Sequence, residues 1–230
     1  MSQRPTLDPA GALAAFGRAS YADLTSVVAL SVAFWLVAAP LVTVGPAVLG
    51  IAAATHDGVA GRTAGETRSE RDRLRLFAAT VRGQFRRGLW LSVPPLAVAA
   101  VTGWYAGVAV ATRSGPLLLG AVVGVYALVA VCVATFRAAT LLVREDAPAA
   151  PRALWDAGRH LLETPAFSAL HALFFALVTA LCLGLGVAVV LLLPGLLAVL
   201  EVVAYEETAG GGAIRVVKAY RGELLAEGER

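Results

Sequence analysis

Asparagine is missing from this sequence altogether, lysine and methionine occur once each, cysteine twice, and only 15% of the 230 residues are charged. Each shortage removes a class of protein. Without asparagine there is no Asn-linked glycosylation acceptor. The two cysteines, Cys132 and Cys182, both lie inside apolar runs, which excludes a disulfide framework and reads as buried thiols. Histidine and cysteine nowhere take zinc-ligand spacing, no glycine-rich loop ends in Lys-Ser or Lys-Thr, and no serine sits in a nucleophile elbow. His56 and His160 read as isolated loop residues. No catalytic constellation, cofactor site or metal site is expected. The shortage of charge excludes most: soluble domains carry about 25% charged residues, and this chain is 58% hydrophobic, with too little polar surface to cover a soluble fold of its length.

What is present is long apolar runs. Four cover residues 24–54, 89–111, 116–143 and 166–205. A spanning helix needs roughly 20 apolar residues, so the second and third hold one span each, at 89–111 and 117–143. The fourth is long enough for two, and Gly184-Leu185-Gly186 near its middle supplies a reversal, giving spans at 167–183 and 187–205. In the first run, Pro40 and Gly45-Pro46 remove two amide donors and loosen the helix. The reading adopted is one span over 24–45; a re-entrant turn at Pro40–Pro46 that returns the chain to its side of entry is the alternative. The amino-terminal segment is polar and carries both charge signs, and the run behind it is far longer than a signal-peptide core, so it does not read as a signal peptide.

Basic residues fix the threading. Eight arginines lie between the first two runs, Arg137, Arg144, Arg152 and Arg159 accompany the third-to-fourth connection, and Arg215, Lys218, Arg221 and Arg230 follow the fourth. Five spans put those 16 on one side against Arg4, Arg18 and Arg113, whereas four spans give 12 against 7. Because Lys and Arg concentrate in cytoplasmic loops, the expectation is an all-α, polytopic helical protein of the plasma membrane. It forms a single domain of about five transmembrane helices, and its carboxyl-terminal tail (206–230) is cytoplasmic. With a re-entrant first run the count becomes 18 against 1. Trp90, Trp104, Tyr105 and Tyr205 fall near span ends, where a ring is half apolar and half wetted.

Two connections read as basic amphipathic helices on the cytoplasmic face. In residues 65–88, Thr67 and Glu70 form a capping-box pattern; Leu74, Phe77, Ala78, Val81 and Phe85 make an apolar stripe, and Arg73, Arg82, Arg86 and Arg87 lie off it. In residues 148–164, Leu154, Trp155, Leu161 and Leu162 oppose Arg152 and Arg159. The tail mixes Ile214, Val217 and Leu224 with Arg215, Lys218 and Arg221. Such segments suit a bilayer with anionic headgroups or a cytoplasmic partner; nucleic acid is disfavoured, since no binding motif or aromatic platform accompanies the arginines.

Three ionisable residues interrupt the apolar runs: Arg137, His171 and Glu201. In the five-span threading all three lie roughly 6–9 Å inside the cytoplasmic boundary at 1.5 Å per residue. They either snorkel singly to the interface or form an intramembrane polar layer in which Arg137 pairs with Glu201 beside His171. Gly103 with Gly107, and Gly120 with Gly124, place small residues on one face of consecutive spans and suggest close packing of that hairpin.

The Pro40-x-x-Thr43-x-Gly45-Pro46 element behind Trp35, followed by the basic stretch from Phe77 to Arg87 that leads into Trp90, resembles the YesL-like family of small membrane proteins of unknown function. The chain departs from that pattern at Gln84-Phe85, where Asn-Phe is expected, and in lacking asparagine before Trp35. The resemblance implies a non-enzymatic, accessory or regulatory role beside carbohydrate ABC-transporter subunits. The polar layer of Arg137, His171 and Glu201 supports an alternative, a small oligomeric transporter or channel.

Overall fold

The computed structural model describes residues 7–66, 68–144, 149–209 and 212–223. Every regular element among them is an α-helix. α1 (Pro9–Ala22) starts from Asp8, whose carboxylate accepts from the amides of Ala10 (3.1 Å) and Gly11 (3.0 Å), with Pro9 in the first turn. The chain then bends by 83° at Asp23 into α2 (Leu24–Ala38).

α2 does not continue to residue 45 as a single span would. It stops at Ala38, and Leu41 takes a left-handed φ of 55° in the turn behind Pro40. The Thr43 hydroxyl donates back to the Val37 carbonyl. α3 (Val44–Thr63) then runs back along α2, so that Arg62 near its end reaches Asp23 at the start of α2. This hairpin has the geometry of the re-entrant alternative. Pro40 cannot donate to the helix it would interrupt, and the small residues of α3 let it be enclosed: residues 45–55 are buried without exception.

Thr67 lies outside the described residues, and the cap of α4 (Glu70–Gly83) is Ser69, whose hydroxyl oxygen accepts from the Asp72 amide at 3.2 Å. The apolar face of α4 is taken by protein rather than left for lipid. Phe77 is buried, Leu74 and Val81 pack on the core, and a side chain at Gly50 of α3 would strike Phe77 and Val81. Ala78 and Phe85 fall on the exposed side.

α5 (Phe85–Thr112) and α6 (Gly115–Arg144) form an antiparallel hairpin through a left-handed Arg113 (φ 51°). At 28 and 30 residues they are about 42 and 45 Å long. Their outer halves touch chiefly one another: Trp104, Val110, Leu119 and Tyr126 are all more than 60% exposed. Gly120 and Gly124 do serve this packing, since they receive Tyr105 and Thr102. Gly103 and Gly107 do not; they lie round the helix from Thr102 and Tyr105, facing open space.

α7 (Ala150–Glu163) buries Ala150, Ala153 and Ala157, with Leu154 and Leu161 alongside. Trp155 and Leu162, expected on that face, point outward instead. α8 (Pro165–Gly184) opens on Pro165 and ends in the expected glycine turn, where Gly186 has φ 62°. The returning arm is broken into α9 (Val187–Leu191) and α10 (Leu193–Ala209), in place of one helix over 187–205. Pro194 offers no amide to the turn before it, which is why the break falls at Leu192. Finally, α11 (Ala213–Arg221) packs Val216 and Val217 against α1, α3 and α10, and Ile214 faces outward. Leu224 and the end of the tail lie outside the described residues.

Three of these helices, α5, α6 and α8, are long and apolar enough to cross a membrane, and a fourth span results if α1 and α2 count as one bent pair. They contain the expected spans 89–111, 117–143 and 167–183.

Candidate functional site

Arg137 lies seven residues from the end of α6, Glu201 at the middle of α10 and His171 in the second turn of α8. Because α8 runs antiparallel to α10, these positions come to one level, and the three side chains meet. Arg137 Nε donates to Glu201 Oε1, and Arg137 Nη1 donates to Thr208 Oγ1 at 3.1 Å. His171 Nε2 lies 3.0 Å from Glu201 Oε2 without hydrogen-bond alignment. All three are sealed from solvent, at 2%, 1% and 5% exposure for Arg137, Glu201 and His171. None snorkels.

Aromatic and charged neighbours extend the cluster toward the end of the bundle. The Arg137 guanidinium is 5.5 Å from the centre of the Tyr205 ring, and that of Arg144 is 4.8 Å from the same ring. Arg144 Nη1 donates to Glu206 Oε1 at 2.6 Å. A buried ion pair is held by mutual attraction against a desolvation cost of several kcal/mol per ion. The cluster is therefore self-sufficient only as a set. Beside His171, between α1, α8 and α10, the cavity measures about 30 Å³, room for one or two waters.

A second cluster was not apparent from the sequence. Asp23, at the α1–α2 bend, accepts from Arg62 Nη2 (3.0 Å), Arg73 Nη1 (3.1 Å) and the Tyr220 hydroxyl (2.7 Å). Arg73 was expected on an exposed basic face with Arg82, Arg86 and Arg87; those three are exposed, but Arg73 is 5% exposed and turned inward. It points the same way as Phe77, one turn on, and passes close to Gly58, the position where α3 has no side chain to obstruct it. Burial pushes the Asp23 carboxyl up, but the Tyr220 hydroxyl and the Arg73 and Arg62 guanidiniums together hold it below the ordinary aspartate value. Burial, then the Asp23 charge, raises the Tyr220 hydroxyl. Four elements far apart in sequence are pinned at this point.

Glu207 makes a third tie. Its two oxygens accept from the Asp8 amide (2.6 Å) and the Ala213 amide (2.7 Å), so one carboxylate serves the first turns of both α1 and α11.

The Pro40–Pro46 element has a structural role that its residues explain. The Gly45 amide donates to Ser92 Oγ at 2.7 Å, and that hydroxyl donates to the Val42 carbonyl at 2.6 Å. α3 and α5 cross here with backbones in contact: a Cβ on Gly88 would lie 2.6 Å from Pro46 Cα. A second serine does the same for the other broken arm, where the Gly195 amide donates to Ser31 Oγ at 2.9 Å. Trp35 Nε1 donates to the Val189 carbonyl of α9 at 3.0 Å. Backbone groups freed by the two breaks are thus satisfied by neighbouring helices.

Among the described residues no group of three or more His, Cys, Asp or Glu is placed to hold a metal ion. Cys132 and Cys182 are free thiols on α6 and α8. His56 and His160 are helical, on α3 and α7, rather than in loops. The chain matches no protein-family model, no curated protein and no solved structure.

Proposed function

We propose that this chain is a non-enzymatic integral membrane protein that assists or regulates a solute transport system, with carbohydrate uptake as the class its YesL-like motif points to. The observation that carries the reading is the closed state of the intramembrane charges. Arg137 and Glu201 are spent on one another, His171 lies against the same carboxylate, and the cavity beside them is only about 30 Å³. That arrangement fits a rigid scaffold better than a path for a solute.

In this reading α5, α6, α8 and the broken α9–α10 arm cross the plasma membrane, while α2–α3 enters and returns. The carboxyl terminus is cytoplasmic, and 18 basic residues lie inside against Arg113 alone outside. Arg82, Arg86 and Arg87 then meet anionic headgroups or the cytoplasmic parts of ABC-transporter subunits. Purification in mild detergent is expected to enrich transporter subunits over a control membrane protein; no enrichment would remove the accessory role. Threading is tested separately with Leu185→Cys and Glu223→Cys, each in a background lacking Cys132 and Cys182. On intact cells an impermeant thiol reagent should label the first and spare the second.

The two broken arms favour a second reading, a small oligomeric transporter, because discontinuous helices near buried charges mark substrate paths. Reconstituted vesicles should then move a solute, and Glu201→Gln should abolish the flux.

A further inference from the structure

Between the ends of α3, α6, α10 and the start of α11 lies a cavity of about 140 Å³, several times larger than those beside the two buried clusters. It is lined by His56, Val59, Thr63, Arg144, Glu206 and Arg215. Among the described residues two guanidiniums face one carboxylate there, a net positive charge. Glu206 accepts from Arg144 Nη1 at 2.6 Å. The remaining donors of Arg144, the whole guanidinium of Arg215 and the ring of His56 have no hydrogen-bond partner among the described residues. Asp57, next along α3, is occupied by Arg68 at 3.1 Å. Hydrogen-bond donors on α3, α6 and α11 therefore converge on one space that exceeds, by about tenfold, the roughly 10–15 Å³ a single water needs.

We propose that this cavity binds a phosphate group. Planar guanidinium forks from two directions suit a tetrahedral oxyanion, and a single negative charge balances the unspent guanidinium. The volume takes a phosphate and not a nucleotide, so the ligand presents the phosphate terminally: free inorganic phosphate or the headgroup of an acidic lipid. Nothing in this site depends on a transporter partner.

The test uses the full chain in phosphatidylcholine nanodiscs, read through the ring signals of its three histidines by NMR. Titrated inorganic phosphate should move the His56 signals and leave those of His160 on α7 in place. In nanodiscs containing phosphatidic acid, a lipid ligand would shift His56 without added phosphate, and free phosphate would then add nothing. Either pattern supports the site, and the two identify the source. Arg215→Gln, at an exposed position whose guanidinium has no hydrogen bond or ion pair among the described residues, should weaken the response at least tenfold while the thermal unfolding midpoint stays unchanged. Two results overturn the proposal: His56 unmoved in both membranes, or an equal response in wild type and Arg215→Gln.

Discussion

The α2–α3 hairpin and the α5–α6 hairpin are both apolar and both antiparallel, yet they have opposite surroundings. α3 is enclosed on every side from residue 45 to 55, whereas the outer halves of α5 and α6 expose Trp104, Val110, Leu119 and Tyr126. The difference lies in side-chain size and in backbone contact. Gly45, Pro46, Ala47, Gly50, Ala52 and Ala53 keep much of the first half of α3 small, so that α4 and α5 approach its backbone directly at Gly50 and Gly45. The outer α5–α6 hairpin carries branched and aromatic side chains and has one neighbour, itself. Hydropathy measures how much an element avoids water; it does not say whether lipid or protein replaces the water.

The buried half is where substitutions should cost most. Glu201→Leu strands Arg137 in a sealed site, and breaking a buried pair costs about 3–5 kcal/mol. Denaturant unfolding in detergent should show that loss, and the Arg137→Met, Glu201→Leu pair should recover most of it. A single variant as stable as wild type would mean the cluster is not sealed. Next in size is Gly45→Val or Gly88→Val at the α3–α5 crossing. Overpacking of this kind costs about 1–3 kcal/mol or more, because the obstructing atoms are backbone rather than a movable side chain.

Asp23 sharpens the comparison through pH. Its carboxyl is held below the ordinary value, so the stability it contributes is present above about pH 4, the unfolded aspartate value. That contribution is lost as pH falls through its lower folded value. Asp23→Asn should remove about 1–3 kcal/mol at neutral pH and flatten the acid limb of the unfolding midpoint against pH. An unchanged acid limb would place the acid-sensitive group elsewhere. The smallest effects belong to the exposed hairpin. Gly103→Leu and Gly107→Leu should change stability by no more than about 0.5 kcal/mol. Gly124→Leu, which displaces Thr102, should cost more. Equal effects at the three glycines would erase the distinction between the hairpin's packed and open faces.

Much of this was legible along the chain. The helices α5, α6 and α8, the reversal at Gly186, and the suspicion attached to Arg137, His171 and Glu201 all follow from local composition, since an ionisable residue inside an apolar run is conspicuous wherever it points. Arg73 was not legible. On its own helix it is one arginine among several, and its inward direction depends on Gly58 and Asp23, 15 and 50 residues away. Tyr220 is a similar case, an unremarkable aromatic in a basic tail until Asp23 is beside it.

The sequence by itself determined that the chain is helical, which segments avoid water and that it reverses at Gly184-Leu185-Gly186, because glycine and apolar periodicity act through a residue's own neighbours. Tertiary structure alone decided which apolar helix is enclosed by protein, which arginine turns inward and which carboxylate it meets. Those outcomes rest on close approach between distant segments, where a missing side chain on one helix makes room for a charge or a backbone from another.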